Sequence, residues 1–394
     1  MPTFYEFFAG GGMARAGLGP GWQCAFANEI DEKKASSYKA NWGKGALLVR
    51  DVAKVKPLDL PGVADLAWAS FPCQDLSLAG SGAGLKGRRS GTFWTFWKLV
   101  RGLGSSGRAP RVIVLENVCG ALTSHGGKDF VSICAALSDG EYQFGAVVMD
   151  AVAFLPHSRP RLFIVGVRSG VAIPNALNLP SPKLPWHTKT LVDAQGKLNP
   201  DLASKWIWWA MPVPRASSAT LADLIEDDPQ GVVWHRPAET KRLLSMMSAL
   251  NLAKVRAAKR QKRRVVGAIY KRTRPDENGV KVQRAEIRFD DVSGCLRTPI
   301  GGSSRQLIMI VEGERVRTRL ISPRETARLM GLKENYVLPK AYNEACHLTG
   351  DGLAVPVVRY LARHIIEPVV EAAAAAEKPK ALHLEKTLRE CVPA

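Results

Sequence analysis

The first stretch whose residue types could do covalent chemistry is Ser70-Phe71-Pro72-Cys73-Gln74-Asp75-Leu76-Ser77. It follows an apolar run over 63–69 that reads as a strand, and a glycine-rich segment, 80–84, comes straight after it. A thiol just past a strand end, with a loop able to close behind it, suits a nucleophile. A small core residue gives the same local pattern, because free cysteine is among the most buried residue types. The assignment therefore depends on the company Cys73 keeps. The apolar run 111–115 ends in Glu116-Asn117-Val118, which sets a carboxylate beside the cysteine strand if the two are parallel neighbours. Arg159-Pro160-Arg161 leads into another apolar run, and two guanidinium groups could lower a thiol's pKa.

The elements that must position these groups read as an α/β chain. Residues 3–8 form a buried strand, Ala9 to Gly12 a glycine turn, and a helical pattern follows around Arg15 to Leu18. Strand, glycine turn and helix open a nucleotide-binding unit. The dinucleotide fingerprint fails, because Arg15 stands where its third glycine belongs. A pyrophosphate cofactor is therefore disfavoured, and an adenosine without pyrophosphate stays open. The second strand, 23–27, runs into Asn28-Glu29-Ile30-Asp31, with Glu29 about twenty residues past the turn, where an acid accepts ribose hydroxyls. A third strand, 47–52, carries Asp51 at its end, and two more span 144–149 and 161–167. His157 has no partner at metal-ligand spacing, so no metal is expected.

From about residue 170 the periodicity disappears among prolines. Trp206-Ile207-Trp208-Trp209 could stack bases or sit in a core. The basic stretch 254–274 reads equally as a solvated helix or as a strand over 265–270 carrying cations to phosphates. Gly301-Gly302-Ser303-Ser304 could let the backbone approach a phosphate. Helical text returns at Ser322-Pro323-Arg324-Glu325, with Ser322 as N-cap, Pro323 at the first helical position and Gly331 as a stop. Residues 371–394 show no core pattern and read as a tail that is a frayed helix or disordered.

Bulk properties agree. Fifty-five Lys and Arg against 36 Asp and Glu give a net charge of +19, which favours a polyanionic partner through counterion release. Seven scattered cysteines without a CxxC pair argue for a reducing, cytoplasmic setting without structural zinc. No apolar run approaches the roughly 20 residues of a membrane span.

Taken in order, these motifs resemble the DNA (cytosine-5)-methyltransferases over residues 4 to about 168 and again from about 315 to 366. Phe8-Ala9-Gly10-Gly11-Gly12 is similar to the cofactor glycine motif, Glu29 to the ribose-binding acid and Asp51-Val52 to the adenine-contacting pair. Pro72-Cys73-Gln74 resembles the catalytic motif, Glu116-Asn117-Val118 the glutamate motif and Arg159-Pro160-Arg161 the arginine motif. Arg319 to Glu325 resembles the motif that organises the recognition region, and Gly352 to Pro356 the last motif. The resemblance implies a doubly wound, Rossmann-like, S-adenosylmethionine-dependent methyltransferase sheet with a separate smaller target-recognition domain. It places catalysis and cofactor in 1–170, recognition in 171–340, a returning segment in 341–370 and a tail in 371–394.

It further implies methyl transfer to carbon 5 of a flipped-out cytosine in double-stranded DNA, with S-adenosylhomocysteine as product. Cys73 would be the nucleophile, and Glu116, Arg159 and Arg161 would complete the catalytic set. Phe8, Ala9, Gly10, Gly12, Glu29, Ile30, Asp51, Val52, Pro72, Leu353, Ala354 and Val355 would hold the cofactor. Gln74, Ser77, Arg89 and Arg305 would touch DNA. A monomer at the nucleoid, with a cognate restriction endonuclease as its separate counterpart, is the implied setting. Departures occur at Met13, Ile30, His157 and Leu353, where the family more often has glycine, an aromatic, glutamine and asparagine. An RNA-methylating relative is the alternative, disfavoured by the long basic segment 170–315. A catalytically inert DNA-binding scaffold is the other, disfavoured by the intact Pro72-Cys73, Glu116 and arginine set. A nicotinamide oxidoreductase rests only on the failed glycine fingerprint.

Overall fold

The structure, a computed structural model, describes residues 1–72, 85, 87, 91–215, 218–296, 298 and 305–377. Seven strands form the large sheet: β1 (Thr3–Phe7), β2 (Gln23–Glu29), β3 (Leu47–Val49), β4 (Leu66–Ala69), β5 (Val112–Asn117), β6 (Tyr142–Asp150) and β7 (Pro160–Arg168). Their order is β3-β2-β1-β4-β5-β7-β6. The chain turns back on itself between β1 and β4, and a crevice at such a switch point, outside the carboxyl ends of the strands, is where open α/β sheets bind ligands. Every residue of β5 is buried, as expected of a strand covered on both faces.

Alternate residues feed two cores. Phe4, Trp68 and Val114 face one, with the helices α1 (Met13–Leu18) and α12 (Val355–Leu361) over them. Tyr5, Phe7 and Ile113 face the other, beneath α3 (Thr92–Ser105) and α4 (Lys128–Asp139). In α3, Phe93, Phe96, Trp97, Val100 and Leu103 recur at helical spacing and all are buried. α1 and α12 pack so closely that a Cβ on Gly17 would collide with Val358.

β7 runs antiparallel to both β5 and β6. Its amino end, which carries Arg159 and Arg161, therefore lies at the carboxyl edge of β5, beside Glu116. A parallel strand would have put the arginines at the opposite edge.

Residues 171–215 lie against the large sheet. Phe144 N–H donates to Lys205 O at 3.0 Å and Ile207 N–H to Phe144 O at 2.8 Å. Ile207 and Trp209 are buried, so the tryptophan cluster serves the core here rather than stacking bases. A second, antiparallel sheet is built from β10 (Arg264–Pro275), β11 (Lys281–Arg288), β12 (Leu307–Glu312) and β13 (Arg315–Leu320), in the order β11-β10-β12-β13. Helices α8 (Pro237–Ser245) and α9 (Ala249–Arg260) cover one of its faces through Leu243 and Val255, with Met247 of their connection between them. The basic stretch 254–274 thus holds both a helix end and a strand. Helix continues from 355 to 377, through a wider turn at Ala362–Ile366. The segment 371–377 therefore differs from the frayed tail expected there: Ala373 is buried and Glu377 pairs with Arg111 at 2.7 Å.

The second sheet shares a core with the first through Val266, Ala268, Ile308 and Ile310, and a buried charge pair ties β13 to the helix that follows it. Arg319 and Glu325 have fully buried side chains and meet at 2.5 and 2.8 Å. Glu325 is the third residue of α10 (Pro323–Leu329), whose N-cap Ser322 forms a reciprocal capping box with it. Arg319 also donates to Glu226 O at 2.7 Å and lies 4.9 Å over the Trp234 ring. Removing one partner strands the other charge in the core, so Glu325→Ala should cost about 3–5 kcal/mol. Urea unfolding of the variant beside the parent chain measures this, and a loss below about 1 kcal/mol, the range of an exposed pair, would contradict it.

Candidate active site

At the carboxyl edge of the large sheet, Glu116 ends β5 and its carboxylate meets Arg161 Nε at 3.2 Å. Burial pushes the Glu116 carboxyl above the usual range, against the lowering pull of Arg161, Arg159 and a hydrogen bond to Ser70. Ser70 in turn accepts Trp68 Nε1–H at 3.0 Å, so the carboxyl is oriented from β4 as well as from β7. Asn117 Nδ2 donates to Phe71 O at 3.1 Å, tying the end of β5 to the segment that leads into Pro72. Phe71 is itself buried against Phe93, ring centroids 5.4 Å apart. The parallel pairing of β4 and β5 expected from the apolar runs is present.

Arg159 is almost wholly buried and faces carbonyls. Its Nη2 donates to Gly350 O at 2.8 Å and Gly352 O at 2.7 Å, and Nη1 reaches Leu296 O and Cys295 Sγ at 3.4 Å. It joins three segments and supports the field at Glu116 from behind. Burial lowers its pKa to about 10, so the guanidinium still carries its charge at neutral pH. His157, also buried, donates from Nδ1 to Leu329 O at 2.9 Å and accepts Leu296 N–H on Nε2 at 3.3 Å. Those partners fix one neutral tautomer, and burial holds its pKa down at about 3. No group of three metal-ligating side chains exists among the described residues.

The crevice between β1 and β2 has the features an adenosine would need. Gly10 N–H donates to one Glu29 oxygen at 2.7 Å, and Ile30 and Asp31 N–H donate to the other at 2.8 Å. A carboxylate offers about four acceptor sites, so capacity remains for a ribose hydroxyl. Phe8 sits in the left-handed region at φ 57°, a conformation that costs a non-glycine residue of order 1–3 kcal/mol and persists at ligand clamps. Gly10 is also left-handed, at φ 56°, with open space where a Cβ would point. Ile30, 62% exposed, offers an apolar side chain at the same edge. Asp51 accepts Ala53 N–H at 2.9 Å and Val52 beside it is buried. Leu353 and Ala354 are buried, Val355 N–H donates to Met330 O at 2.8 Å, and Gly352 packs where a Cβ would meet Met13 Sδ. These residues fit the adenosine and ribose of S-adenosylmethionine.

Cys73, Gln74, Ser77, Arg89 and the glycines and serines of 301–304 lie outside the described residues. Arg305 is described, and its guanidinium lies 5.8 Å from the Tyr342 ring centroid. Several contributors had no signal in the sequence. Tyr336 Oη and Trp42 Nε1 both donate to Gly11 O, at 2.7 and 3.0 Å, and hold the glycine turn. Ser293 exchanges backbone hydrogen bonds of 2.8 Å with Pro156 and Ser158, which brings Cys295 and Leu296 onto Arg159.

Beneath the glycine turn, Glu6 is buried with one oxygen on Arg15 N–H at 3.3 Å and the other without a hydrogen bond. Burial outweighs the helix N–H groups and pushes its pKa up to about 8. The folded chain therefore keeps this proton where the unfolded chain has lost it, and stability falls as pH rises from the ordinary carboxyl range toward 8. Glu6→Gln should remove that dependence. Unfolding midpoints of both chains at about pH 5 and about pH 8 test it, and parallel pH profiles would contradict the buried neutral acid.

The family model for C-5 cytosine-specific DNA methylase matches residues 2–367. The chain is 25% identical over 384 residues to Type II methyltransferase M.HpaII of Haemophilus parainfluenzae, covering 93% of this chain and 89% of that one. It is 22% identical over 364 residues to Type II methyltransferase M.HhaI of Haemophilus parahaemolyticus, covering 92% and 93%. Its fold matches the S. pombe Dnmt2 methyltransferase with a TM-score of 0.57 at 16% identity, over 94% of this chain and 99% of that one. It matches the Entamoeba histolytica methyltransferase EhMeth with a TM-score of 0.60 at 12% identity, over 93% and 98%. With its glutamate, arginine pair and glycine turn gathered on one sheet edge, the chain belongs to the C-5 cytosine-specific DNA methylases, enzymes that take their methyl group from S-adenosylmethionine.

Proposed function

We propose that this chain methylates carbon 5 of a cytosine flipped out of double-stranded DNA, through a covalent adduct of Cys73 at carbon 6. The observation that carries the reading is the Glu116–Arg161 pair, 3.2 Å apart at the carboxyl end of β5, with the neighbouring Asn117 bonded to the segment that leads into Cys73. Carbon 5 of cytosine is a poor nucleophile until a group adds at carbon 6. Thiolate is the natural choice, because it adds and leaves readily.

As the Cys73 sulfur bonds to carbon 6, electron density moves through the ring to nitrogen 3, where Glu116 shares its proton. Burial, which pushes the carboxyl above its ordinary pKa, favours the protonated form that this sharing needs. Arg161 orients the carboxyl, and Arg159 holds the surrounding carbonyls in place. S-adenosylmethionine, when bound, supplies an electrophilic methyl group on its sulfonium. Glu29 would hold the ribose, and Phe8 to Gly12, Ile30, Asp51 and Val52 the remaining adenosine, with Leu353 to Val355 closing the site. After transfer a proton leaves carbon 5, the carbon–sulfur bond breaks and the thiolate is restored. A stacked base cannot reach such a site, so the cytosine must leave the duplex. Arg305, Gln74, Ser77 and Arg89 are assigned to the DNA side. Restriction-modification, with a separate endonuclease acting on the same sequence, is the setting the Type II relatives suggest.

Incubating the chain with methyl-labelled S-adenosylmethionine and, in parallel, genomic DNA or total RNA, then digesting to nucleosides, should yield labelled 5-methyldeoxycytidine from the DNA. Glu116→Gln should lower kcat by about 10²–10⁴, the span of positioned acid–base groups, with little change in cofactor affinity. Label in RNA alone, or in no nucleoside, would overturn the reading.

A further inference from the structure

Beyond Leu307, where β12 begins, β10 has β11 as its strand partner, and β11 makes one further bridge, from Ala285 to Met247. β12 contacts β10 up to Ile269, while β10 and β11 stay paired to Pro275 and Lys281. The result is a two-stranded ribbon projecting from the second sheet. Its faces are unlike. Ile269, Ala285 and Ile287 face the helices α8 and α9. The opposite face presents Tyr270, Arg272 and Arg274 from β10 and Arg284, Glu286 and Arg288 from β11, by the strict alternation of an antiparallel pair.

The pairing on that face is unfavourable by itself. Arg272 stands directly opposite Arg284, and like charges directly opposite destabilise a strand pair. One carboxylate serves two of the arginines: Glu286 meets Arg274 at 2.7 Å and Arg272 at 3.4 Å. The Arg272 contact is too poorly aligned to be a hydrogen bond, and its buried Nε has none. Arg284 has no carboxylate within ion-pair distance among the described residues. The ribbon bounds an open groove of about 880 Å³ in which lysine and arginine outnumber glutamate five to two.

Edge protection could explain charges on β11, which has no strand beyond it and is covered on its outer side at Ala285 and Ile287, by Met246 O and Asn251 Oδ1. It does not explain a row of arginines on one face of both strands. The groove has a direction. At its inner end Tyr270 Oη accepts Gly294 N–H, and the next residue, Cys295, takes Arg159 Nη1 on its sulfur at 3.4 Å. The arginine face therefore starts at the residues packed on the active-site arginine and runs outward to the ribbon tip.

We propose that this face is a phosphate-binding track for the DNA duplex, with Arg272, Arg274 and Arg284 as the contacts and Glu286 as the group they exchange for phosphate. The inference rests on the DNA reading above and names the partner surface of that site. A two-stranded ribbon has dimensions that the major groove of DNA admits, and phosphate contacts fix register and orientation without reading sequence. Glu286 keeps the arginines extended and partly neutralised until a phosphate replaces it. It thereby lowers affinity for DNA at large.

The test is fluorescence anisotropy of the full chain on a labelled duplex across a salt series, with methyl transfer by the parent chain run alongside. Each lost phosphate contact reduces the slope of log K against log salt by about 0.9, so Arg272→Gln/Arg274→Gln/Arg284→Gln should flatten it by about 2–3. Glu286→Gln should move the other way, binding duplex several-fold more tightly with a slope no shallower than the parent's, which a folding defect cannot mimic. A parental slope in the triple variant, or weaker binding by Glu286→Gln, would overturn the track while the parent still binds and methylates DNA. A parent chain that neither binds duplex nor transfers methyl would overturn the underlying DNA reading instead.

Discussion

A buried guanidinium holds this molecule together at its working edge. Among the described residues Arg159 forms no ion pair; it is held by the carbonyls of Gly350, Gly352 and Leu296. A charge removed from water needs such donors and acceptors to be fully arranged. The arrangement fixes three distant parts of the chain relative to one another: the amino end of β7, the turn before α12 and the strap that leads from β11 to β12. The glycine turn and α1 are held from the other side, through Tyr336 on Gly11 and α12 on α1. The glycine turn and the carboxylate site thus share one frame.

The frame sets the electrostatics. Glu116 experiences two opposed influences, burial favouring its neutral form and two arginines favouring its charged form, with burial the larger. Such a balance suits a group that must share a proton as charge builds on a neighbouring ring and reclaim it afterwards. His157, two residues before Arg159, has the reverse task. Held neutral by burial, with two backbone partners fixing its tautomer, it contributes shape and hydrogen bonds without adding a charge that would disturb Glu116.

Much of this was legible in the sequence. The seven strands of the large sheet appear as apolar runs because both their faces are covered. Glu29 stands out by its distance from the glycine turn, and α10 by Ser322, Pro323 and Glu325. Other parts follow from rules that no local pattern carries. That β7 is antiparallel, and so delivers Arg161 to Glu116, depends on where it inserts between β5 and β6. Residues 293–296 reach Pro156, Ser158 and Arg159 across more than 130 positions, and Ser-Gly-Cys-Leu has no periodicity to mark it. The prolines of 171–215 hide periodicity without saying what the irregular chain packs against, which is the edge of the large sheet. Strand β11 alternates, but its outward residues Arg284, Glu286 and Arg288 are charged, so no apolar run marks it.

The most direct test of the central claim is whether Cys73 bonds to the target base. Duplex DNA containing 5-fluorocytosine lacks the proton that must leave carbon 5, so the reaction should stop after methyl transfer, with the thiolate not expelled and protein and DNA still joined. With S-adenosylmethionine present, the parent chain should give a denaturant-resistant complex whose mass is the sum of protein, DNA and one methyl group, and Cys73→Ser should give none. A parent chain that methylates ordinary cytosine yet forms no such complex, or a Cys73→Ser chain that still forms it, would contradict the account.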